Sequence, residues 1–166
     1  MLLRSLQRRA IVGALAGCIA TTTPALAGPA VVGSKAPAFE LESLTGQPVN
    51  SKAFAGRALF VNVFATWCPP CRLEMPLIAR TLPHYAKSVA FLAVDAQEAS
   101  EIVKPFLARV GVRSAVAIDR GQFAATFGAT SIPESIFIDR HGTVRAIVHG
   151  PIDRATLHGN LALIAR

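Results

Sequence analysis

The residues best suited to chemistry in this chain are Cys68 and Cys71, which are separated by Pro69 and Pro70. Two cysteines at this spacing can alternate between a dithiol and a disulfide, and the thiolate is the nucleophile of that exchange. Because proline is tolerated in the first helical turn, the motif predicts a helix that begins near Pro69. The partial positive charge of the helix N-terminus then favours a thiolate at Cys68. The sequence therefore predicts a dithiol–disulfide reaction centre.

Two other uses of a cysteine pair fit the sequence less well. A structural zinc site needs four ligands, but there is no second C-x-x-C motif. No histidine lies at a metal-ligand spacing from the pair; the four are His84, His141, His149 and His158. An inert structural bridge is also disfavoured, because closing a loop of two residues removes little chain entropy. We expect no metal and no cofactor besides the cysteine pair itself.

The elements that must position the motif alternate between strand and helix patterns. A continuous apolar run at 59–64 predicts a buried strand directly before the motif. Further predicted strands span 89–94, 115–118, 135–138 and 144–148, and predicted helices span 69–82, 100–110, 122–127 and 153–165. Alternation that ends in a hairpin predicts an α/β domain, a mixed central sheet with helices on both faces.

The region before this alternation predicts an N-terminal extension of the domain. Residues 28–36 are small and rich in Pro and Gly, and we expect a mobile lead-in there. A short edge strand at 39–41, a turn at 44–48 and one helical turn at 51–54 follow. The domain itself is expected to span 37–166.

The first 27 residues have the pattern of an export signal. Three arginines precede a short apolar run, and Ala25-Leu26-Ala27 is an A-x-A cleavage pattern. The run is too short to span a bilayer, which needs about twenty apolar residues. A second interpretation stays open, because the residues ending at Cys18 are similar to a bacterial lipobox; a signal of 1–17 would then leave Cys18 lipidated. Arg8-Arg9 also leaves open twin-arginine rather than general export.

Charge and size limit the range of functions. The net charge is +7, and without the three arginines of the signal 14 basic residues face 10 acidic ones. The basic side chains are scattered without interleaved aromatic residues, so a nucleic-acid surface is not indicated. The remaining length suits one domain, which we expect to be a monomer.

At Trp67-Cys68-Pro69-Pro70-Cys71 the sequence resembles a thioredoxin-fold active site, and further features resemble the periplasmic TlpA/ResA/DsbE branch. Asn62 stands where cytoplasmic thioredoxins carry a buried aspartate, and Glu74 completes a C-x-x-C-x-x-E-x-P pattern. The segment 131–139 resembles the one that holds the cis-proline of the family. The resemblance covers the chain from about Gly33 to its C-terminus and implies a thioredoxin fold with an N-terminal strand extension.

The placement of the motif and the resemblance suggest a role for each residue. Cys68, at the exposed helix start, should attack a partner disulfide, and Cys71, further inside, should resolve the mixed disulfide. Glu74 lies one turn beyond Cys71, and partial burial would raise its pKa and suit it to proton transfer. Asn62 cannot titrate, so it can only orient a hydrogen bond or a water molecule. Trp67 is expected to lie over the site and shield it.

The resemblance also implies how a client binds. The Ile132–Pro133 bond is expected to be cis. The Ile132 main chain would pair with a client segment as an added strand, beside Pro69, Pro70 and Trp67.

Together these features predict a periplasmic thiol–disulfide oxidoreductase that keeps the cysteines of a specific exported client reduced. No histidine lies between the cysteines, unlike in strongly oxidising sites, and this favours a reductant. The resemblance implies apocytochrome c or the copper site of a terminal oxidase as client, with electrons from a membrane thiol donor. A copper-binding metallochaperone of the same fold stays open as an alternative, although such relatives use C-x-x-x-C and a distal histidine. Contact with a membrane is expected only if Cys18 carries lipid.

Overall fold

The structure is a computed structural model, and it describes residues 28–166. The predicted signal and Cys18 lie outside the described residues. Seven strands form one sheet: β1 (Glu40–Ser43), β2 (Pro48–Asn50), β3 (Ala58–Phe64), β4 (Val89–Ala96), β5 (Ala115–Asp119), β6 (Glu134–Ile138) and β7 (Val144–His149). Four helices accompany them: α1 (Pro69–Thr81), α2 (Ser100–Val110), α3 (Gln122–Phe127) and α4 (Arg154–Ile164). Short 3₁₀ turns span Ser51–Phe54 and Leu82–His84.

The sheet is mixed, with the strand order β2-β1-β5-β4-β3-β6-β7. Strands β3, β4 and β5 run parallel, whereas β6 lies antiparallel to β3 and β7 antiparallel to β6. The motif-bearing strand β3 is therefore central, and all seven of its residues are buried. This burial on both faces explains its continuous apolar sequence.

Helices cover both faces of the sheet, as the α/β prediction requires. On one face the core includes residues of α1, α2 and α4, together with both cysteines. On the other face, α3 and the N-terminal Phe39 pack against β3, β4 and β6. Phe60 on β3 stacks between Phe91 and Phe137, with ring centroids 5.0 and 4.6 Å apart. The predicted fold class is confirmed.

The N-terminal extension differs from the prediction in one respect. β1 is not an edge strand, because it pairs with β2 on one side and β5 on the other, which leaves β2 at the edge. The lead-in makes hydrogen bonds to the rest of the domain. Ala30 N–H donates to the Phe127 carbonyl, and Gly33 N–H donates to the Val144 carbonyl. These bonds attach the 28–36 segment to α3 and β7, so it packs as part of the domain.

Candidate active site

Cys68 and Cys71 are joined by a disulfide at the N-terminus of α1. Cys68 is the N-cap residue, and its Sγ accepts a hydrogen bond of 3.3 Å from the Cys71 N–H. Pro69 and Pro70 occupy the first two helical positions, where a missing N–H leaves no helical bond unmade. The start of the helix at Pro69 is as predicted. An N-terminal position of this kind stabilises negative charge on sulfur when the bridge is reduced.

The exposure of the site differs from the expectation for Cys68. Its side chain is buried in the disulfide form, with 2% exposed, and that of Cys71 is completely buried. Trp67, the residue before Cys68, is 65% exposed, and Leu73 on the same helix is 81% exposed. Trp67 is therefore a surface residue next to the disulfide in sequence and not part of the core.

Beyond the cysteines, Glu74 lies at the centre of a buried hydrogen-bond network. Its carboxylate accepts from Asn62 Nδ2 at 2.9 Å and from the Ile152 N–H at 2.8 Å. Asn62 Nδ2 also donates to Ser135 Oγ at 3.1 Å. The network connects α1, β3, β6 and the loop before α4. Asn62 thus orients the Glu74 carboxylate, a contact that the sequence did not identify.

The environment of Glu74 shifts its titration in the direction expected for a proton carrier. Only 4% of the residue is exposed. Burial raises the pKa of the Glu74 carboxyl above its ordinary value, although the hydrogen bonds from Ile152 and Asn62 act in the opposite direction. Because Glu74 follows Cys71 by three residues on α1, it lies on the same side of the helix as the second cysteine.

The Ile132–Pro133 peptide bond is cis, as the resemblance implies. Ile132 packs against the core cluster that contains both cysteines, and the Pro133 carbonyl accepts a hydrogen bond from the Gly150 N–H at 2.9 Å. The next residue, Glu134, is buried and bonded to His149 Nδ1 at 2.8 Å. Burial raises the pKa of Glu134, and the contact with His149 opposes the rise. His149, to which the sequence assigned no role, is therefore a neighbour of the proline loop.

A third group of polar residues, which the sequence did not identify, holds the segment immediately before Cys68. Thr66 donates both its N–H and its hydroxyl to the carboxylate of Glu98. The Glu98 N–H in turn donates to Asp95 Oδ1 at 2.8 Å. The signal available in the sequence was an ionisable residue, Asp95, at the end of a continuous apolar strand.

Residues 28–166 include no group of three or more side chains that could hold a metal ion. Within the same residues, no helix is both long and apolar enough to cross a membrane.

A central-strand-to-helix turn that carries a disulfide of C-x-x-C spacing, within this mixed sheet, defines a thioredoxin-fold thiol–disulfide oxidoreductase. Comparisons with known proteins agree with this class. The Redoxin family model matches residues 31–160. The thiol-disulfide oxidoreductase ResA of Bacillus thuringiensis (strain Al Hakam) is 36% identical over 135 residues, which cover 80% of this chain and 78% of that protein. ResA of Bacillus subtilis (strain 168) is 30% identical, covering 80% of this chain and 75% of that protein.

A solved structure extends the similarity to three dimensions. The crystal structure of a thiol:disulfide interchange protein of the thioredoxin family from Chlorobium tepidum TLS matches with a TM-score of 0.74 and 28% identity. The match covers 82% of this chain and 99% of that one. The chain belongs to the Redoxin family and is a thiol–disulfide oxidoreductase of the ResA/DsbE type.

Proposed function

We propose that this protein reduces the disulfide of a specific exported client and that Cys68 and Cys71 carry out the exchange. The observation that carries the proposal is the position of the pair: Cys68 caps α1 and directly follows the exposed apolar side chain of Trp67. A helix N-terminus favours the attacking thiolate, and an apolar surface next to it suits a protein client.

The exchange proceeds in two steps. In the reduced protein, the Cys68 thiolate attacks one sulfur of the client disulfide, which forms a mixed disulfide and releases the other client sulfur as a thiolate. The Cys71 thiolate then attacks Cys68 Sγ, and the second client sulfur leaves. The client gains two electrons, and the protein returns to the Cys68–Cys71 disulfide. A thiol donor must then reduce this bridge.

Glu74 is proposed to carry the proton of the second step. The resolving thiol of Cys71 must lose its proton before it attacks, in a place with no exposed surface. A carboxylate with a raised pKa, one helical turn away, is a suitable acceptor. Asn62 and the Ile152 N–H hold this carboxylate in position.

Client binding is assigned to the proline loop and to the residues around Cys68. A client segment would pair with the main chain of Ile132 as an added strand beside Pro133. Trp67, Pro69 and Pro70 would contact the client side chains that flank its cysteine. Such main-chain pairing gives affinity, and the side-chain contacts give specificity.

The compartment and the client follow from the predicted signal and the family resemblance. Export through residues 1–27 would place a monomeric enzyme in the periplasm, or at its membrane surface if the signal ends at 17 and Cys18 is lipidated. The periplasm has no soluble reductant pool, so the donor would be a membrane thiol transporter. Cysteines of apocytochrome c or of an oxidase copper site are the proposed clients.

A trapping experiment tests this function. In Cys71→Ser the mixed disulfide cannot be resolved, so the client should stay attached to Cys68 and be released by dithiothreitol for identification by mass spectrometry. The double variant Cys68→Ser/Cys71→Ser is the control and should trap nothing. Recovery of the same proteins with both variants, or of none with Cys71→Ser, would contradict the proposal.

A further inference from the structure

Asp95 lies at the end of β4 in an environment that is unusual for a carboxylate. It is completely buried, and its strand neighbours in register are Phe64 on β3 and Ile118 on β5. Oδ1 accepts a hydrogen bond from the Glu98 N–H, but Oδ2 has no hydrogen-bond partner among the described residues. Leaving a buried charged oxygen without a donor is unfavourable, so this carboxyl needs a proton.

The side chain of Glu98 is a close neighbour of the Asp95 carboxyl. Burial and the side-chain contact with Glu98 raise the pKa of Asp95 to about 7. The Asp95 carboxyl is neutral when it carries its proton, whereas an ionised Asp95 repels the Glu98 carboxylate.

Glu98 transmits this interaction to the redox site. Its two carboxylate oxygens accept the N–H and the hydroxyl of Thr66, with the hydroxyl bond at 2.6 Å. Thr66 is separated from Cys68 by Trp67 alone. The Cys68 N–H also donates to the Ala65 carbonyl, so the residues on both sides of Thr66 belong to one hydrogen-bonded turn. Bidentate, charge-assisted bonds of this kind fix both position and orientation.

We propose that Asp95 and Glu98 are positioning residues for disulfide exchange: Asp95, in its protonated form, leaves Glu98 able to hold the Thr66–Cys68 turn. Loss of the Asp95 proton places two negative charges side by side and weakens the hold of Glu98 on Thr66. The turn then loosens, and the attacking sulfur meets Cys68 in a less well-defined orientation, which slows exchange.

The charges around the pair come from several elements. Phe64 and Ile118 do not titrate, and α2 carries the exposed Glu101 in its first turn. The charged side chains that share a cleft with Glu98 are Glu42, Lys104 and Arg120. Arg120 lies 3.8 Å from Glu42, so these two largely offset each other. Asp95 is the buried carboxyl that is hydrogen-bonded to the Glu98 N–H, next to the groups that hold Thr66.

The experiment uses the chain's single tryptophan, Trp67, as a probe next to the turn. The fluorescence of the oxidised protein is followed between pH 5 and pH 9. In parallel, the rate of reduction by dithiothreitol is measured and divided by the fraction of dithiothreitol that is thiolate. Wild type should show a fluorescence transition with a midpoint near pH 7, and its corrected rate should fall across the same range.

Asp95→Asn is similar in size and cannot ionise, so it should abolish the transition while keeping the rate within about twofold of wild type at pH 6. Glu98→Gln should slow exchange about tenfold at pH 6, which corresponds to the loss of one charge-assisted bond. Glu101→Gln, an exposed acid on the next helix, is the matched control and should behave as wild type. If Glu98→Gln does not fold, Thr66→Val removes the hydroxyl bond and should show a smaller loss in the same direction.

Two results would overturn the proposal. A transition near pH 7 that persists in Asp95→Asn would come from a different titrating group. A corrected rate of Glu98→Gln or Thr66→Val equal to that of wild type would show that the contact with Thr66 does not position the turn.

Discussion

The buried Glu74 carboxylate gives a prediction that can be worked out from its contacts. Glu74→Gln keeps the size of the side chain but replaces one acceptor oxygen with an NH₂ group. The two donors that face the carboxylate, Asn62 Nδ2 and the Ile152 N–H, then share one oxygen. One buried donor is left without an acceptor, which should lower the free energy of unfolding by about 1–3 kcal/mol.

The pH dependence of this loss has a definite sign. Because the pKa of Glu74 is raised in the folded protein, its carboxylate binds a proton more strongly there than in the unfolded chain. The stability that this proton contributes is complete below the ordinary glutamate pKa and is lost as pH rises through the folded value. Gln cannot titrate, so the variant has no such contribution to its stability to lose as the pH rises. The destabilisation caused by Glu74→Gln should therefore shrink between pH 4 and pH 8.

Urea unfolding of the oxidised proteins, followed by Trp67 fluorescence, measures this difference at both pH values. All other titrating groups are common to both proteins and cancel in the comparison. Glu101→Gln is the control, because the pKa of this exposed glutamate is lowered and the sign is reversed. Any cost of that variant should grow with pH. A Glu74→Gln cost that stays constant or grows with pH would refute the reasoning.

Three further substitutions test the fold that positions the site. Phe60→Ala removes a fully buried ring from the core and should cost about 3–5 kcal/mol in thermal or urea unfolding, and a loss below 1 kcal/mol would contradict its central place. Asp119→Ala leaves three backbone N–H groups at the start of α3 without their acceptor and should lower the free energy of unfolding by about 3 kcal/mol or more. Asp119→Asn keeps one acceptor oxygen and should lower it by less. Gly128→Ala should destabilise the protein more than Gly56→Ala. Both glycines have positive φ, but only at Gly128 would a new Cβ lie within 2.9 Å of Pro29. Equal losses of stability would show that the lead-in does not pack against Gly128.

Short-range patterns in the sequence were sufficient to predict most elements and the redox pair. Continuous apolar runs predicted β3 and β4, and a proline pair after Cys68 predicted the start of α1. These features depend on neighbouring residues, so the sequence contains the information directly. The spacing of Glu74 from Cys71 also predicted that both lie on one side of α1.

The partners of the buried polar groups could not be predicted in the same way. Asn62 and Ser135 are 73 residues apart, and Glu74 and Ile152 are 78 apart, so only the tertiary fold brings them together. The hydrogen bonds from Thr66 to Glu98 likewise connect residues that are 32 positions apart. No local pattern encodes such contacts.

Two predictions failed because they depended on what packs nearby. The 39–41 segment has the composition of an edge strand, but β2 pairs beyond it and β5 pairs on its other side. Cys68 was expected to be exposed because it begins a helix. In the disulfide form Cys68 is buried, and the preceding residue, Trp67, is exposed.

The equilibrium reduction potential of the Cys68–Cys71 pair tests the proposed direction of electron flow most directly. It is measured on the protein from residue 28 onward against a dithiothreitol or glutathione series. A client reductant predicts a value near that of thioredoxin, roughly −270 mV. A value near that of the strongly oxidising periplasmic enzymes, roughly −120 mV, would mean that the protein donates disulfides and would contradict the proposed function.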